Sequence, residues 1–219
     1  MIKKKIVTIV GAGVIGAGWA ARMLACGLIV NAYDPSVKAR KQLLSNTKTA
    51  LKSLQRLVLN KNAKLSNLKI YSDLRESLHS TTFVQENAPE NEKLKKKLLK
   101  DIDKLLPKNI IIASSSSGLL PTRIQSLCNY PERVCIGHPF NPVYLLPLVE
   151  LVSGKQTKKN TITRAKKFYE GIGMKPLIVK KEIEGYISDR LQEALWREAL
   201  HIINDGIASN QDVDDAIVY

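Results

Sequence analysis

The segment IVTIVGAGVIGAGW (residues 6–19) decides the fold. Its first five residues, Ile6–Val10, are β-branched and apolar, which is typical of a strand buried on both faces. A helical pattern runs from Val14 to Cys26, and the apolar run Leu28–Tyr33 then predicts a second strand. Three glycines lie between the first strand and the helix: Gly11, Gly13 and Gly16. The segment therefore predicts a right-handed β-α-β unit.

The glycine pattern GAGVIG, in this context, predicts a dinucleotide site. The first glycine permits a tight turn, the second lets a pyrophosphate approach the backbone, and the third lets helix and strand pack closely. Asp34 ends the second strand, where a carboxylate can accept hydrogen bonds from ribose hydroxyls and repels a 2′-phosphate. The sequence thus favours NAD over NADP. The residues predicted to bind it here are Gly11, Gly13, Val14, Ile15, Gly16 and Asp34.

Strand and helix patterns alternate along most of the chain. They predict an α/β fold, a Rossmann-type doubly wound and mostly parallel sheet over residues 1–183. After a long helical region from Val37 to Asn60, further strands are predicted near Thr81, Ile110, Arg133, Pro147 and Lys175. Residues 184–219 change character, with a long helical pattern and a second one capped by Ser209, and they predict the start of an all-helical C-terminal domain.

Composition restricts the kinds of partner. The 219 residues carry a net charge of +14, but the lysines are scattered and no aromatic residues are interleaved with them, so we expect no nucleic-acid binding. No apolar run reaches the length of about 18 residues that a membrane helix needs, and we expect a cytoplasmic protein. Cys26, Cys128 and Cys135 lack metal or redox spacing, which predicts reduced, buried thiols and no metal.

Three segments lie at the ends of successive predicted strands: ASSSSGLLP (113–121), GHPFNP (137–142) and PLVELV (147–152). Ligands bind at such strand ends in open α/β sheets. His138 ends one strand and Glu150 lies on the next. A carboxylate that holds one imidazole nitrogen stabilises the protonated ring, so that the other nitrogen can act as a general base.

These segments, with FVQENAPE (83–90) and DRLQEALWREALHIINDG (189–206), resemble the 3-hydroxyacyl-CoA dehydrogenase family, and in particular a branch of it that oxidises carnitine. The resemblance covers essentially the whole chain. It implies NAD-dependent oxidation of a 3-hydroxy acid to the 3-keto acid, with L-carnitine converted to 3-dehydrocarnitine. A 3-hydroxyacyl-CoA, such as 3-hydroxybutyryl-CoA, is the alternative substrate.

The resemblance also implies roles for individual residues. His138 would be the general base and Glu150 its partner, while Ser117 would hydrogen-bond the substrate hydroxyl or the new ketone. Glu90 and Lys95 would lie beside the nicotinamide end of NAD, although a solvated helix charge is the alternative for Lys95. For residues 114–116 a structural turn is the favoured interpretation.

Asp189 departs from the acyl-CoA enzymes, which carry an asparagine before the arginine found here at 190. An ionised carboxylate near the substrate would favour a cation such as carnitine over polyanionic CoA. Phe140, Tyr144 and Trp196 could add cation–π contacts.

The family's helical domain continues beyond residue 219 and carries its dimer interface, so the full-length form is implied to be a homodimer. We therefore expect a C-terminally truncated chain in which the apolar faces of Leu191, Leu195 and Ile202 lack cover. An NAD-binding but inactive fragment is the alternative to an active enzyme.

Overall fold

A computed structural model describes residues 5–56 and 63–219. Its first unit ends at Glu184 and is built on one eight-stranded sheet in the order β3-β2-β1-β4-β5-β6-β7-β8. The strands are β1 (Ile6–Val10), β2 (Ile29–Tyr33), β3 (Leu68–Tyr71), β4 (Phe83–Glu86), β5 (Ile111–Ser114), β6 (Val134–Pro139), β7 (Leu148–Ser153) and β8 (Lys175–Val179). The helices of this unit are α1 (Val14–Ala25), α2 (Val37–Arg56), α3 (Leu74–Ser77), α4 (Glu92–Leu105), α5 (Pro121–Ile124) and α6 (Lys159–Gly171).

All neighbouring strands are parallel except β6 and β7, which pair antiparallel. The predicted Rossmann-type, mostly parallel sheet is confirmed. Since β1 lies between β2 and β4, the chain reverses its direction of winding there, and a crevice forms outside the carboxyl ends of the strands. The last residues of the helix predicted from Val37 to Asn60 lie outside the described residues.

The main core lies on the side of the sheet covered by α1 and α6. Trp19 and Met23 of α1 and Tyr169 of α6 are fully buried there, against strand residues such as Ile9 and Leu151. On the opposite face α4 buries an apolar stripe that includes Leu99 and Ile102. Burial of the sheet on both faces explains why strands such as β1 and β5 are almost continuously apolar.

The second unit, Gly185–Tyr219, consists of α7 (Ser188–Asn204) and α8 (Asn210–Val218). Ser209 and Asp212 form a capping box at the start of α8, as expected of the predicted cap. The expectation of uncovered apolar side chains is correct for Leu191 and Leu195, which are 67% and 54% exposed. It is wrong for Ile202, which is half-buried because it faces α8.

The prediction of buried cysteines is wrong for Cys26, which is exposed because it follows the last turn of α1. Cys128 is half-buried and Cys135 is buried in β6, where burial raises the pKa of its thiol to about 12. Within residues 5–56 and 63–219, no cluster of three or more histidine, cysteine, aspartate or glutamate side chains could hold a metal ion. In the same ranges, no helix combines the length and the apolar character that crossing a membrane requires.

Candidate active site

The glycine turn joins β1 to α1 through two close backbone contacts. Gly11 has a positive φ of 100°, and a β-carbon there would lie 2.7 Å from the carbonyl carbon of Asn87. A β-carbon on Gly16 would lie 2.0 Å from the backbone oxygen of Gly11. Only glycine meets both requirements, so these two positions hold α1 tightly against the strand.

Gly13 provides the open side of the turn. No atom lies within 4 Å of the position that its β-carbon would take, and Val14, the first helical residue, is exposed. The first N–H groups of α1, from Val14, Ile15 and Gly16, have no acceptor within the helix, and they form the positive end of its dipole. This end of α1 is therefore an anion-binding cradle of the kind that a pyrophosphate fits.

Asp34 stands beside this cradle with its carboxylate fixed by backbone groups. Its Oδ2 accepts from the Ala12 N–H at 2.9 Å, and its Oδ1 accepts from the Ser36 N–H at 2.8 Å. Each carboxylate oxygen has a second lone pair with which it can accept a ribose hydroxyl. The donor groups of α1 and this acceptor together fit NAD.

We predict that alanine at one of these glycines mainly lowers stability and at another mainly weakens NAD binding. Gly16→Ala places a methyl group on the Gly11 oxygen and is expected to lower the free energy of unfolding by about 1–3 kcal/mol. Gly13→Ala meets no protein atom and is expected to cost less than about 1 kcal/mol, but to weaken NAD binding by filling the cradle. Urea unfolding and calorimetric titration with NAD measure the two effects. Equal losses of stability in both variants would contradict the assignment.

A cleft of about 330 Å³ lies at the carboxyl ends of β4, β5 and β6. It brings together five of the site residues predicted from the sequence, namely Ile15, Glu90, Lys95, Ser117 and His138. The residues that line it include Ile15, Asn87, Glu90, Lys95, Ser115, Ser117 and His138.

His138 and Glu150 form a buried pair at this cleft. The antiparallel register places them opposite each other on β6 and β7, so both side chains point to the same face of the sheet. His138 Nδ1 lies 2.9 Å from Glu150 Oε2, and Glu150 is fully buried. The Phe140 ring lies 5.1 Å from the imidazole ring, measured between centroids. An imidazole held in this way by a buried carboxylate has the arrangement of a general base.

Glu90 fixes the serine-rich loop between β5 and α5. Its Oε1 accepts a hydrogen bond from the Ser116 hydroxyl. The same oxygen accepts from three backbone N–H groups, those of Ser117 at 3.2 Å, Gly118 at 3.0 Å and Leu119 at 3.3 Å. Burial alone would raise the pKa of Glu90, but these hydrogen bonds and the charge of Lys95 lower it overall. The carboxylate is therefore ionised at neutral pH and holds the loop that carries Ser117.

Lys95 is 1% exposed, which contradicts the alternative of a solvated helix charge. Its Nζ donates to Glu86 Oε1 and to the Ala88 carbonyl, both at 2.9 Å, and lies 3.6 Å from Glu90 Oε2. Glu86 is fully buried at the end of β4 and also accepts from the Ser114 hydroxyl at 2.5 Å. Sequence reasoning missed Glu86, because only the fold brings Lys95 and Ser114 to its carboxylate.

Asp189 belongs to the second unit, in the first turn of α7, where it is half-buried. With Trp196 it lines a groove between α7 and α8. The predicted residues of the first unit thus form two groups. Ser117, His138, Glu90 and Lys95 share the cleft, and Asp34 joins the glycine turn.

Residues 6–183 match the NAD-binding domain of 3-hydroxyacyl-CoA dehydrogenase. The chain belongs to the 3-hydroxyacyl-CoA dehydrogenase family. It is 46% identical to the L-carnitine dehydrogenase of Oceanobacillus iheyensis over 98% of its own length and 70% of the relative's. It is 47% identical to the L-carnitine dehydrogenase of Bacillus cereus over 98% of its own length and 66% of the relative's.

Among solved structures, the chain is similar to 5-formyl-3-hydroxy-2-methylpyridine 4-carboxylic acid 5-dehydrogenase, described as an NAD⁺-dependent dismutase. The TM-score is 0.92 at 30% identity, over 99% of this chain and 71% of that one. Compared with the L-carnitine dehydrogenases that it matches, the chain spans about two thirds of their length. The resemblance seen in the sequence motifs is confirmed, and with it NAD as the cofactor of this family member.

Proposed function

We propose that this 3-hydroxyacyl-CoA dehydrogenase family member oxidises L-carnitine to 3-dehydrocarnitine with NAD. The observation that carries the proposal is the buried pair of His138 and Glu150 at a cleft that also contains Ser117. A secondary alcohol loses a proton from oxygen and a hydride from carbon when it becomes a ketone. The pair provides a base for the first of these, and NAD, when bound, accepts the hydride from C3 of the substrate.

Glu150 determines which imidazole nitrogen does the chemistry. Its carboxylate accepts a hydrogen bond from Nδ1 of His138, so the proton of the substrate hydroxyl passes to Nε2. The carboxylate then stabilises the imidazolium that forms, because the pair is buried and poorly screened by water. In the reverse direction the imidazolium returns this proton to the oxygen of the ketone.

Ser117 is proposed to orient the reacting oxygen by a hydrogen bond from its hydroxyl. The Glu90 carboxylate supports this role, since it binds the backbone N–H groups of Ser117 and of Gly118 that follows it. Lys95 lies 3.6 Å from the same carboxylate and is proposed to complete the wall beside the nicotinamide end of NAD.

Three observations favour L-carnitine over a 3-hydroxyacyl-CoA. The identity with L-carnitine dehydrogenases is 46–47% over almost the whole chain. In addition, the chain has aspartate at 189, whose negative charge would attract the trimethylammonium group of carnitine and repel the phosphates of CoA. Phe140 beside His138 supplies an aromatic ring that a quaternary ammonium can contact.

The test compares kcat/KM for L-carnitine and for 3-hydroxybutyryl-CoA by the appearance of NADH. It is run on this chain and on a chain extended to the length of its relatives, with NAD binding measured by calorimetry. A preference for L-carnitine is expected. A clear preference for the thioester would overturn the substrate, and NAD binding without turnover at either length would favour a protein that only binds the dinucleotide.

Asp189→Asn tests the charge argument alone, because the two side chains have nearly the same shape. The ratio of kcat/KM for L-carnitine to that for 3-hydroxybutyryl-CoA is expected to fall about five- to tenfold, which is the effect of one partly screened charge. Glu198→Gln removes an exposed charge of α7 that does not line the groove of Asp189, and as the control it is expected to leave the ratio unchanged. A ratio that is unchanged in Asp189→Asn would rule out the proposed role.

A further inference from the structure

Gln85 is a polar side chain inside the main apolar core. It lies on β4 next to Glu86, and both residues are fully buried. Because side chains alternate along a strand, the two point to opposite faces of the sheet. Glu86 faces Lys95 of α4, whereas Gln85 faces α1 and α6.

Every polar atom of the Gln85 amide has a partner. Its Oε1 accepts from the hydroxyl of Tyr169 at 2.6 Å. Its Nε2 donates to Ser115 Oγ at 2.8 Å and to the Gly137 carbonyl at 3.2 Å. Burial raises the pKa of Tyr169 well above its usual value, so that hydroxyl stays protonated and remains a donor.

These partners connect the core to the residues of the cleft. Gly137 directly precedes His138, and a β-carbon on it would lie 2.0 Å from the Tyr169 hydroxyl oxygen. The tyrosine oxygen therefore lies against the backbone of β6, one residue before His138. The amide of Gln85 crosses β5 above Ala113, which is its partner in the strand register.

Ser115 extends the network to the other wall of the cleft. Its Oγ accepts from Trp19 Nε1 at 3.1 Å as well as from Gln85, and donates to Asn87 Oδ1 at 2.7 Å. The Asn87 backbone in turn lies against Gly11 of the dinucleotide turn. One set of buried and part-buried hydrogen bonds thus reaches the histidine strand and the glycine turn together.

We propose that Gln85 and Tyr169 are positioning residues, which fix the distance between the His138 backbone and the wall of the cleft formed by Ser115 and Asn87. The proposal rests on the proposed function of His138 as the base. An apolar side chain at 85 could fill the same space, but it would not hold β6 at one distance from β4. Directional hydrogen bonds select a single arrangement, and in a dry interior they have no water to replace them.

The first test is Tyr169→Phe, which removes one hydroxyl and keeps the ring that packs on Trp19. The readout is the low-field NMR signal of the Nδ1 proton that His138 shares with Glu150, assigned by its loss in His138→Gln. We expect this signal to shift and broaden in Tyr169→Phe. Tyr130→Phe is the matched control, because the Tyr130 ring faces Lys108 and Arg133 instead. In this control variant, the His138 signal is expected to match that of the unaltered chain.

The second test uses Gln85→Met combined with Tyr169→Phe. The double change removes the hydrogen bond between Gln85 and Tyr169 from both sides, so neither side chain is left unpaired, although the Gly137 carbonyl loses the donor at 85. This variant should therefore fold even if Tyr169→Phe does not. We expect it to retain NAD affinity within about twofold while kcat falls about 10- to 100-fold, the effect of a small misplacement of the base.

The NMR readout needs no turnover, so it separates this inference from the choice of L-carnitine as the substrate. A displaced His138 signal supports the inference even if L-carnitine proves not to be oxidised. If the double variant shows the same His138 signal or the same kcat as the unaltered chain, the inference is overturned and the network serves core stability only.

Discussion

The His138→Gln variant is expected to bind NAD as the unaltered chain does and to oxidise L-carnitine about 10²- to 10⁴-fold more slowly. Glutamine has a similar volume, but its amide cannot take a proton at neutral pH. The loss should therefore fall on kcat, whereas the KM for NAD should change little. Steady-state kinetics of NADH formation, with calorimetry for NAD, measure both quantities.

His79→Gln is the matched control for this experiment. The His79 ring forms a hydrogen bond with the Ser80 hydroxyl and does not line the cleft, so its replacement is expected to leave kcat unchanged. Glu150→Gln should give an intermediate loss, because the base remains but the imidazolium loses the carboxylate that stabilises it. A His138→Gln variant that retains most of its turnover would rule out the imidazole as the base.

The parts of the fold that the sequence predicts are those determined by local pattern. The unit from β1 to β2 follows from an apolar run, a glycine turn and a helix of ordinary length, and the structure differs from the predicted ends by one residue at most. The strand Leu68–Tyr71 was not predicted, because it lies at the edge of the sheet, is only four residues long and carries a lysine. The four-residue helices α3 and α5 are too short to show a helical period.

At the cleft, prediction from sequence is limited by contacts between residues that are distant in the chain. His138 and Glu150 can be singled out as candidates, since a histidine near the end of one strand and an acid on the next are informative in such a sheet. The antiparallel register that places them opposite each other is visible only in the structure. Gln85 and Glu86 cannot be interpreted from sequence alone, since each is explained only by partners distant in the chain, such as Tyr169. The same applies to Lys95, whose burial depends on Glu86 being present inside the fold.

Lys95→Met is expected to lower the free energy of unfolding by about 3–5 kcal/mol, because it leaves the Glu86 carboxylate buried without its counter-ion. The methionine fills the space of the lysine stem but donates no hydrogen bond to Glu86 or to the Ala88 carbonyl. Urea unfolding of both chains gives the difference directly. We also expect weaker NAD binding, because Lys95 lines the cleft beside Glu90.

The neighbouring lysine provides the control. Lys96 pairs with Glu92 one turn away at the surface, where water screens the charges, and Lys96→Met is expected to change stability little. Lys95→Met combined with Glu86→Gln removes both buried charges and should recover part of the lost stability, since the larger cost is that of one charge left alone. If Lys95→Met is as stable as Lys96→Met, then water reaches the Lys95 ammonium in solution, and this lysine does not form the wall proposed for the nicotinamide end of the site.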